Sequence, residues 1–302
     1  RLNWGQIDHD TILHAFLARR ASDVYRDIHL EFRDDRRKGL DFPDENQEQA
    51  HQEALNSLEL AIEFLCNIAG VPHFTFLAYR HLLVVLARFF AHFPEPSPRN
   101  LNLLKRWYWR AALAGPGVMR GGITGAVRTL ASCIHPREES HSIQQLLEIL
   151  PSGSGQRLHV NDFGSNRASG HIMLCALWNH KPLSPDTGEP FTRADLALEI
   201  GGGPTPSPVC PEIFSRIRLS GNTKSSLGNR VIMPGIPLEN VRDVSAWDAV
   251  VRDSHFFGLG GFPERLVQER EQVLQGYIDK FLQERTGQGF DDSAPLASFD
   301  FD

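Results

Sequence analysis

The chain has 302 residues, 41% of them hydrophobic and 23% charged, enough apolar material for one large domain or two ordinary ones. Its formal net charge of −6 excludes a uniformly basic nucleic-acid coat, so any polyanion-binding surface has to be local. No apolar run reaches the roughly 18 residues that a membrane span needs; the richest stretch, from Phe76 to Phe93, is broken by Arg80, His81 and Arg88 and reads as a buried helix.

Ile12, Leu13, Phe16 and Leu17 recur at helical spacing behind Asp10, which predicts a first helix capped by Asp10. The charged stretch from Glu31 to Gln49, broken by Gly39 and Pro43, reads as an exposed loop with helical pieces. A long helix is expected from about Gln47 to Ala69, stopped by Gly70 and Pro72, with Leu55, Leu58, Leu60, Ile62, Leu65 and Cys66 as its core stripe. A second apolar helix is expected over about Thr75 to Phe93. A third, LNLLKRWYWRAALA, should end at Gly115-Pro116-Gly117. Shorter helices follow over about Ala126 to Ile134 and Ser142 to Leu150. PSGSGQR is a candidate boundary, dividing the chain into a helical domain over 1–150 and a mixed, mostly helical subdomain over 151–302.

Beyond the boundary, Ser165 or Asn166 can cap a short helix reaching Trp178, and Thr192 can cap the helical turn of TRADLALEI. GGGPTPSPVCP is the most loop-like stretch. GNRVIMPG is the best strand candidate, with Val231, Ile232 and Met233 between Gly228 and Pro234. A last long helix is expected from Pro263 to Arg285. The fold class is therefore mainly α: a multi-helix domain with a small β element near residues 228–234.

Charge is segregated along the chain. From Arg99 to Arg137 there are seven bases and no acid, whereas Asp291, Asp292, Asp300 and Asp302 follow Arg285 with no base among them. KRWYWR (Lys105 to Arg110) interleaves bases with aromatics, a pattern that can stack on nucleobases while the bases meet phosphates. On a helix, however, Leu104, Trp107 and Ala111 share one side, which makes Trp107 core and leaves the bases solvated. MRGGITG lacks the Gly-Lys-Ser/Thr ending of a phosphate loop and follows no predicted strand, so its glycines read as an inter-helix turn. Asp162-Phe163-Gly164 has neither of the companion motifs of a kinase, and there is no GxSxG and no HExxH among thirteen histidines. Cys66, Cys133, Cys175 and Cys210 form no C-x-x-C pair and sit mostly in apolar settings, the pattern of free buried thiols in a reducing, cytoplasmic compartment. The first ten residues lack the apolar core of a signal peptide. Because the chain opens on Arg1, it reads as part of a longer protein.

Several segments together carry a family resemblance: DTILHAFLA, a helix ending in IEFL, VPHFTFLAYRHLLVVLA, LKRWYWRAALAG, then SNRASGHIMLCALW, DTGEPF, SSLGNRVIMPG, DSHFF and FPERLVQEREQVLQGYIDKFLQER. In this order they resemble the C-terminal helical half of ParB-like proteins of the domain-of-unknown-function family numbered 262. That family occurs in GmrSD-type modification-dependent restriction enzymes and related phage-defence proteins. The resemblance covers most of the chain. It implies a missing N-terminal ParB-like domain that handles nucleotide or DNA, and a C-terminal part related to His-Asn-His nucleases. SSLGNRVIMPG is similar to the segment carrying the nuclease Asn, which would be Asn229. The paired-histidine motif expected upstream is absent: ALEIGGGPTPSPVCPEIF stands there without a histidine.

The resulting expectation is a DNA-associated or scaffold module of a restriction or phage-defence protein, without a complete active site in this chain. Its partners would be the DNA backbone and the missing N-terminal domain, with no membrane, no cofactor and no metal. Lys105, Arg106, Arg110, Arg120, Arg128 and Arg167 are the candidate nucleic-acid contacts. Two alternatives stand beside it: a degenerate metal-dependent nuclease using Asn229, His255 and a carboxylate, and a helical protein-interaction domain with no nucleic-acid role.

Overall fold

In the computed structural model, residues 2–33, 35, 38–150, 157–215, 218–258 and 262–287 are described. Among them the chain forms eleven α-helices joined by turns and short 3-10 segments. Their only β pairings are two isolated bridges, Leu183 with Pro190 and Glu212 with Arg230. The chain groups into two compact units, neither of them one continuous stretch.

The helical unit comprises Ile7–Ala69, Tyr79–Gln156 and Arg285–Asp302. Helix α1 (His9–Arg20) is capped by Asp8 rather than by Asp10: the Asp8 carboxylate accepts from the Thr11 backbone N–H at 2.9 Å and from its hydroxyl at 2.8 Å. Helix α2 (Gln47–Phe64) starts on a capping box between Asn46 and Gln49 and runs on as a π-helical turn, Leu65–Ala69. Its buried face differs from the expected stripe. Leu55 is 41% exposed, while the small residues Ala50, Ala54, Ser57 and Ala61 are buried beside Leu58 and Ile62. Small side chains let α2 lie close to α3 (Arg80–His92), which is buried nearly all round between α1, α2 and α5 (Gly122–Ser132). Helix α3 begins later than expected because Phe74–Phe76 closes a 3-10 turn.

Arg88 lies in the middle of this apolar helix, 4% exposed. Its guanidinium donates to Ala18 O at 2.6 Å and Ala131 O at 3.0 Å, and pairs with Asp41 at 2.7 Å. It thus satisfies carbonyls at the C-terminal ends of α1 and of α5 (Gly122–Ser132) with a single cation. The segment between α1 and α2 is tied down by charge as well, through Arg26–Glu31 at 2.8 Å and Arg19–Glu45 at 2.5 Å. Helix α4 (Pro98–Ala114) is capped by Ser97 and ends at Gly115, whose φ is +69°. It packs on α6 (Glu139–Glu148), whose Glu139 accepts from Ser97 N at 3.1 Å and Asn100 Nδ2 at 2.7 Å.

The mixed unit comprises Arg1–Gln6, Gly70–Ala78 and Arg157–Glu284. Trp4 joins its first two pieces: Trp4 Nε1 donates to Val71 O at 3.0 Å, and Trp4 O accepts from Phe74 N at 2.8 Å. It holds α7 (Ala168–Asn179), α8 (Arg193–Ile200), α9 (Leu238–Arg242), α10 (Ala249–Ser254) and α11 (Pro263–Thr286) up to Glu284. Thr192 caps α8 as expected, in a capping box with Asp195. Ile213, Phe214, Val231, Met233, Val241, Trp247, Val251 and Val267 form one buried apolar cluster.

The small β element expected near 228–234 does not develop into a strand. Leu227–Asn229 is a 3-10 turn, and the run that follows lies along 209–213 through Ile213 N to Asn229 O (3.1 Å), Val231 N to Pro211 O (3.4 Å) and Met233 N to Val209 O (2.9 Å). Pro211 has no N–H to return the bond, so the pairing stays at one bridge. The four cysteines are free, and burial pushes the thiols of Cys133 and Cys210 up to about 11. No helix of the described residues is long and apolar enough to cross a membrane.

Candidate functional site

The aromatics of KRWYWR all turn inward. Trp107, Tyr108 and Trp109 are 0%, 1% and 1% exposed, and Trp109 Nε1 donates to Ala69 O at 3.1 Å. Stacking on nucleobases is therefore not open to them, and the basic residues are left as the outward part of the motif. Lys105, Arg106 and Arg110 are half-buried along α4, with their heads on neighbouring groups. Arg110 reaches the end of α11, where Nε donates to Thr286 O at 2.9 Å and Nη2 to Gly287 O at 3.2 Å.

Arg120 is exposed in the turn before α5. Gly121 caps that helix in the left-handed conformation with no side-chain hydrogen bond, and no acid stands in the first turn. Arg128, exposed on α5, pairs with Asp23 at 2.9 Å and lies over the Tyr25 ring. Arg167 belongs to the mixed unit, where it pairs with the exposed Asp162 at 2.7 Å. Of the six expected contacts, α4 and the α4–α5 turn thus carry Lys105, Arg106, Arg110 and Arg120. The acids Asp291, Asp292, Asp300 and Asp302 lie outside the described residues.

Asn229 and His255 are both buried and hydrogen-bonded to main-chain groups. Asn229 is fully buried; its Oδ1 accepts from Phe214 N at 2.9 Å and its Nδ2 donates to Phe214 O at 3.1 Å. His255 is 3% exposed, and its Nε2 meets Leu183 O at 2.9 Å, which places the ring proton on Nε2. Burial pulls its pKa down to about 4, so it is neutral at pH 7.

Arg270, which the sequence did not single out, joins the backbone of His255 to the turn that leads into Asn229. Its guanidinium, 2% exposed, donates to His255 O (2.7 Å), Leu227 O (2.9 Å) and Gly228 O (2.7 Å) and lies over the Phe257 ring. Gly228 permits this approach, because a Cβ there would stand 2.8 Å from Val267 O. Among the described residues, no group of three or more His, Cys, Asp or Glu is placed to hold a metal ion.

A cleft of about 850 Å³ opens along α1 and the first turns of α2 in the helical unit. Ile12, Leu13, Phe16, Ile28 and Phe32 wall it, and the exposed His9, His29 and His51 also line it. Ile12 and Leu13, on the helically spaced apolar positions of α1, are half-buried here. Comparison with protein-family models finds no match to this chain, and neither does comparison with curated proteins.

Proposed function

We propose that this chain is a non-catalytic helical module that engages the phosphate backbone of DNA through Lys105, Arg106 and Arg120. In this reading it serves as the scaffold half of a modification-dependent restriction or phage-defence protein, as the family resemblance implies. The observation that carries the reading is the charge pattern of α4 and α5: seven bases and no acid from Arg99 to Arg137, with Arg120 exposed beside an acid-free helix start. Exposed pairs such as Arg128–Asp23 contribute little energetically, so a phosphate can replace their carboxylate. Bases of this kind position a protein on DNA without reading its sequence.

The test is a fluorescence-anisotropy titration of the full chain against unrelated DNA duplexes at several salt concentrations. Affinity should fall steeply with salt and differ little between sequences. Arg106→Gln combined with Arg120→Gln should weaken binding uniformly and lower the salt slope by about two. Binding that ignores salt, or a double variant that binds as well as the parent with its circular dichroism unchanged, would end this reading.

A further inference from the structure

The cleft of the helical unit is built from three pieces of chain. Helix α1 brings Leu13 and Phe16, the turn after it Ile28 and Phe32, and the first two turns of α2 bring Glu48 and His51. Phe16, 7% exposed, ties the cleft to the core: it packs with Leu17, Ala50 and Ala54, and its ring lies 6.4 Å from Phe32 and 6.5 Å from His51. At about 850 Å³ the cleft falls within the range of about 300–1,000 Å³ that small-molecule sites occupy. Like them, it sets an apolar lining against a few polar groups.

The charges of the lining select the sign of a ligand. Among the described residues that line the cleft, Glu48 is the single carboxylate, and no Lys or Arg stands with it. Glu48 is exposed at the second position of α2 and holds no ion pair among the described residues. Two arginines beside Phe32 are engaged elsewhere: Arg20, over the Phe32 ring, pairs with Glu45 at 3.3 Å, and Arg33 pairs with Asp35 at 3.4 Å. His9, His29 and His51 also line the cleft, and an imidazole nitrogen can accept from an ammonium N–H. An anion here would meet Glu48 with no cation to offset it. A cation on an apolar body gains both the carboxylate and the apolar walls.

We infer that this cleft binds a small organic cation, an amine carried on an aromatic or alkyl body. Its ammonium sits at Glu48 and its body lies against Leu13, Phe16, Ile28 and Phe32. None of these residues belongs to the DNA-binding reading, so the two stand or fall separately.

Three probes that share one two-ring body test it: naphthylmethylammonium, naphthylmethanol and naphthoate. Each is titrated into the full chain at low salt, and the heat of binding gives the affinity. The ammonium should bind about two- to fivefold more tightly than the alcohol, the margin of an exposed ion pair, and the alcohol more tightly than the naphthoate. Salt at about 1 M should remove the margin. Glu48→Gln should bring the ammonium to the affinity of the alcohol and leave the alcohol unchanged. Ile28→Asn should weaken all three about three- to tenfold, because it removes part of the apolar wall. Both positions are exposed, so both variants should keep the parent's circular dichroism. An ammonium probe that does not bind overturns the inference, and so does a naphthoate that binds as tightly as the ammonium. A preference for the ammonium that survives Glu48→Gln, or affinities untouched by Ile28→Asn, puts the probes elsewhere on the protein and overturns it as well.

Discussion

The side-chain amide of Asn229 closes a two-bond ring with the backbone of Phe214, accepting from its N–H at 2.9 Å and donating to its carbonyl at 3.1 Å. Asn229 therefore clamps two chain segments that a strand ladder would otherwise pair. The ladder cannot extend, since Pro211 supplies no donor, and the clamp takes over part of its work.

Replacing Asn229 by Ala orphans a buried N–H and a buried carbonyl, each of which costs about 1–3 kcal/mol. Asn229→Ala should lower unfolding stability by about 2–4 kcal/mol in urea titration. Asn229→Asp should be at least as damaging, because a carboxylate would face the Phe214 carbonyl. A variant as stable as the parent would show that water or a rearranged backbone satisfies Phe214.

The helices were legible in the sequence wherever apolar spacing and a stop signal agreed. α11 was expected over Pro263 to Arg285 and is Pro263–Thr286, and Thr192 caps α8 as its position suggested. Less legible was which apolar face would be buried. In α2 the alanines lie against the core and Leu55 is outside, because close helix approach rewards small residues that a hydrophobicity count undervalues. The aromatics of KRWYWR were ambiguous in sequence, since periodicity assigned Trp107 inward but left Tyr108 and Trp109 undecided; packing buried all three. Two of the buried arginines, Arg270 and Arg88, did leave a trace. Arg270 stands at core spacing with Leu266, Val267 and Leu274, and Arg88 interrupts an otherwise apolar run. Their partners are backbone carbonyls from distant segments, which no local pattern reveals.

Arg88 gives the second stability prediction. Burial works against its charge, and Asp41 beside it restores it only in part, so its pKa lies below the ordinary arginine value. Asp41 is held below the usual carboxylate range: burial opposes its charge, but bonds to His92 and Arg88 outweigh that. Arg88→Met fits the apolar surroundings yet leaves Asp41 without its main cation and strands the carbonyls of Ala18 and Ala131. Removing one member of such a buried pair costs about 3–5 kcal/mol. Arg88→Met with Asp41→Asn should recover part of the loss, because the orphaned carboxylate is gone. A double variant no more stable than Arg88→Met would assign the whole cost to the carbonyls; a single variant within about 1 kcal/mol of the parent would remove Arg88 from the list of fold determinants.

Acid sensitivity follows from three buried histidines. His73, His81 and His255 are 1%, 7% and 3% exposed, and burial lowers each pKa from 6.5 to about 4. In the unfolded chain they take up protons near pH 6.5, whereas in the fold they stay neutral until about pH 4. Between these values the unfolded state binds more protons, so the contribution is fully present above about pH 6.5 and declines as pH falls. Each histidine contributes a slope approaching about 1.4 kcal/mol per pH unit in the middle of that window. Unfolding free energy measured in urea should therefore drop steeply from pH 6.5 towards pH 4.5, above the range where the lowered carboxylates Asp8, Asp23 and Asp41 begin to protonate. His81→Leu removes one titrating group from an apolar helix and should flatten the slope by up to about 1.4 kcal/mol per pH unit while costing little at pH 7. A variant whose pH profile parallels the parent's would mean that His81 takes up its proton in the folded chain as readily as in the unfolded one, and that the steepness arises elsewhere.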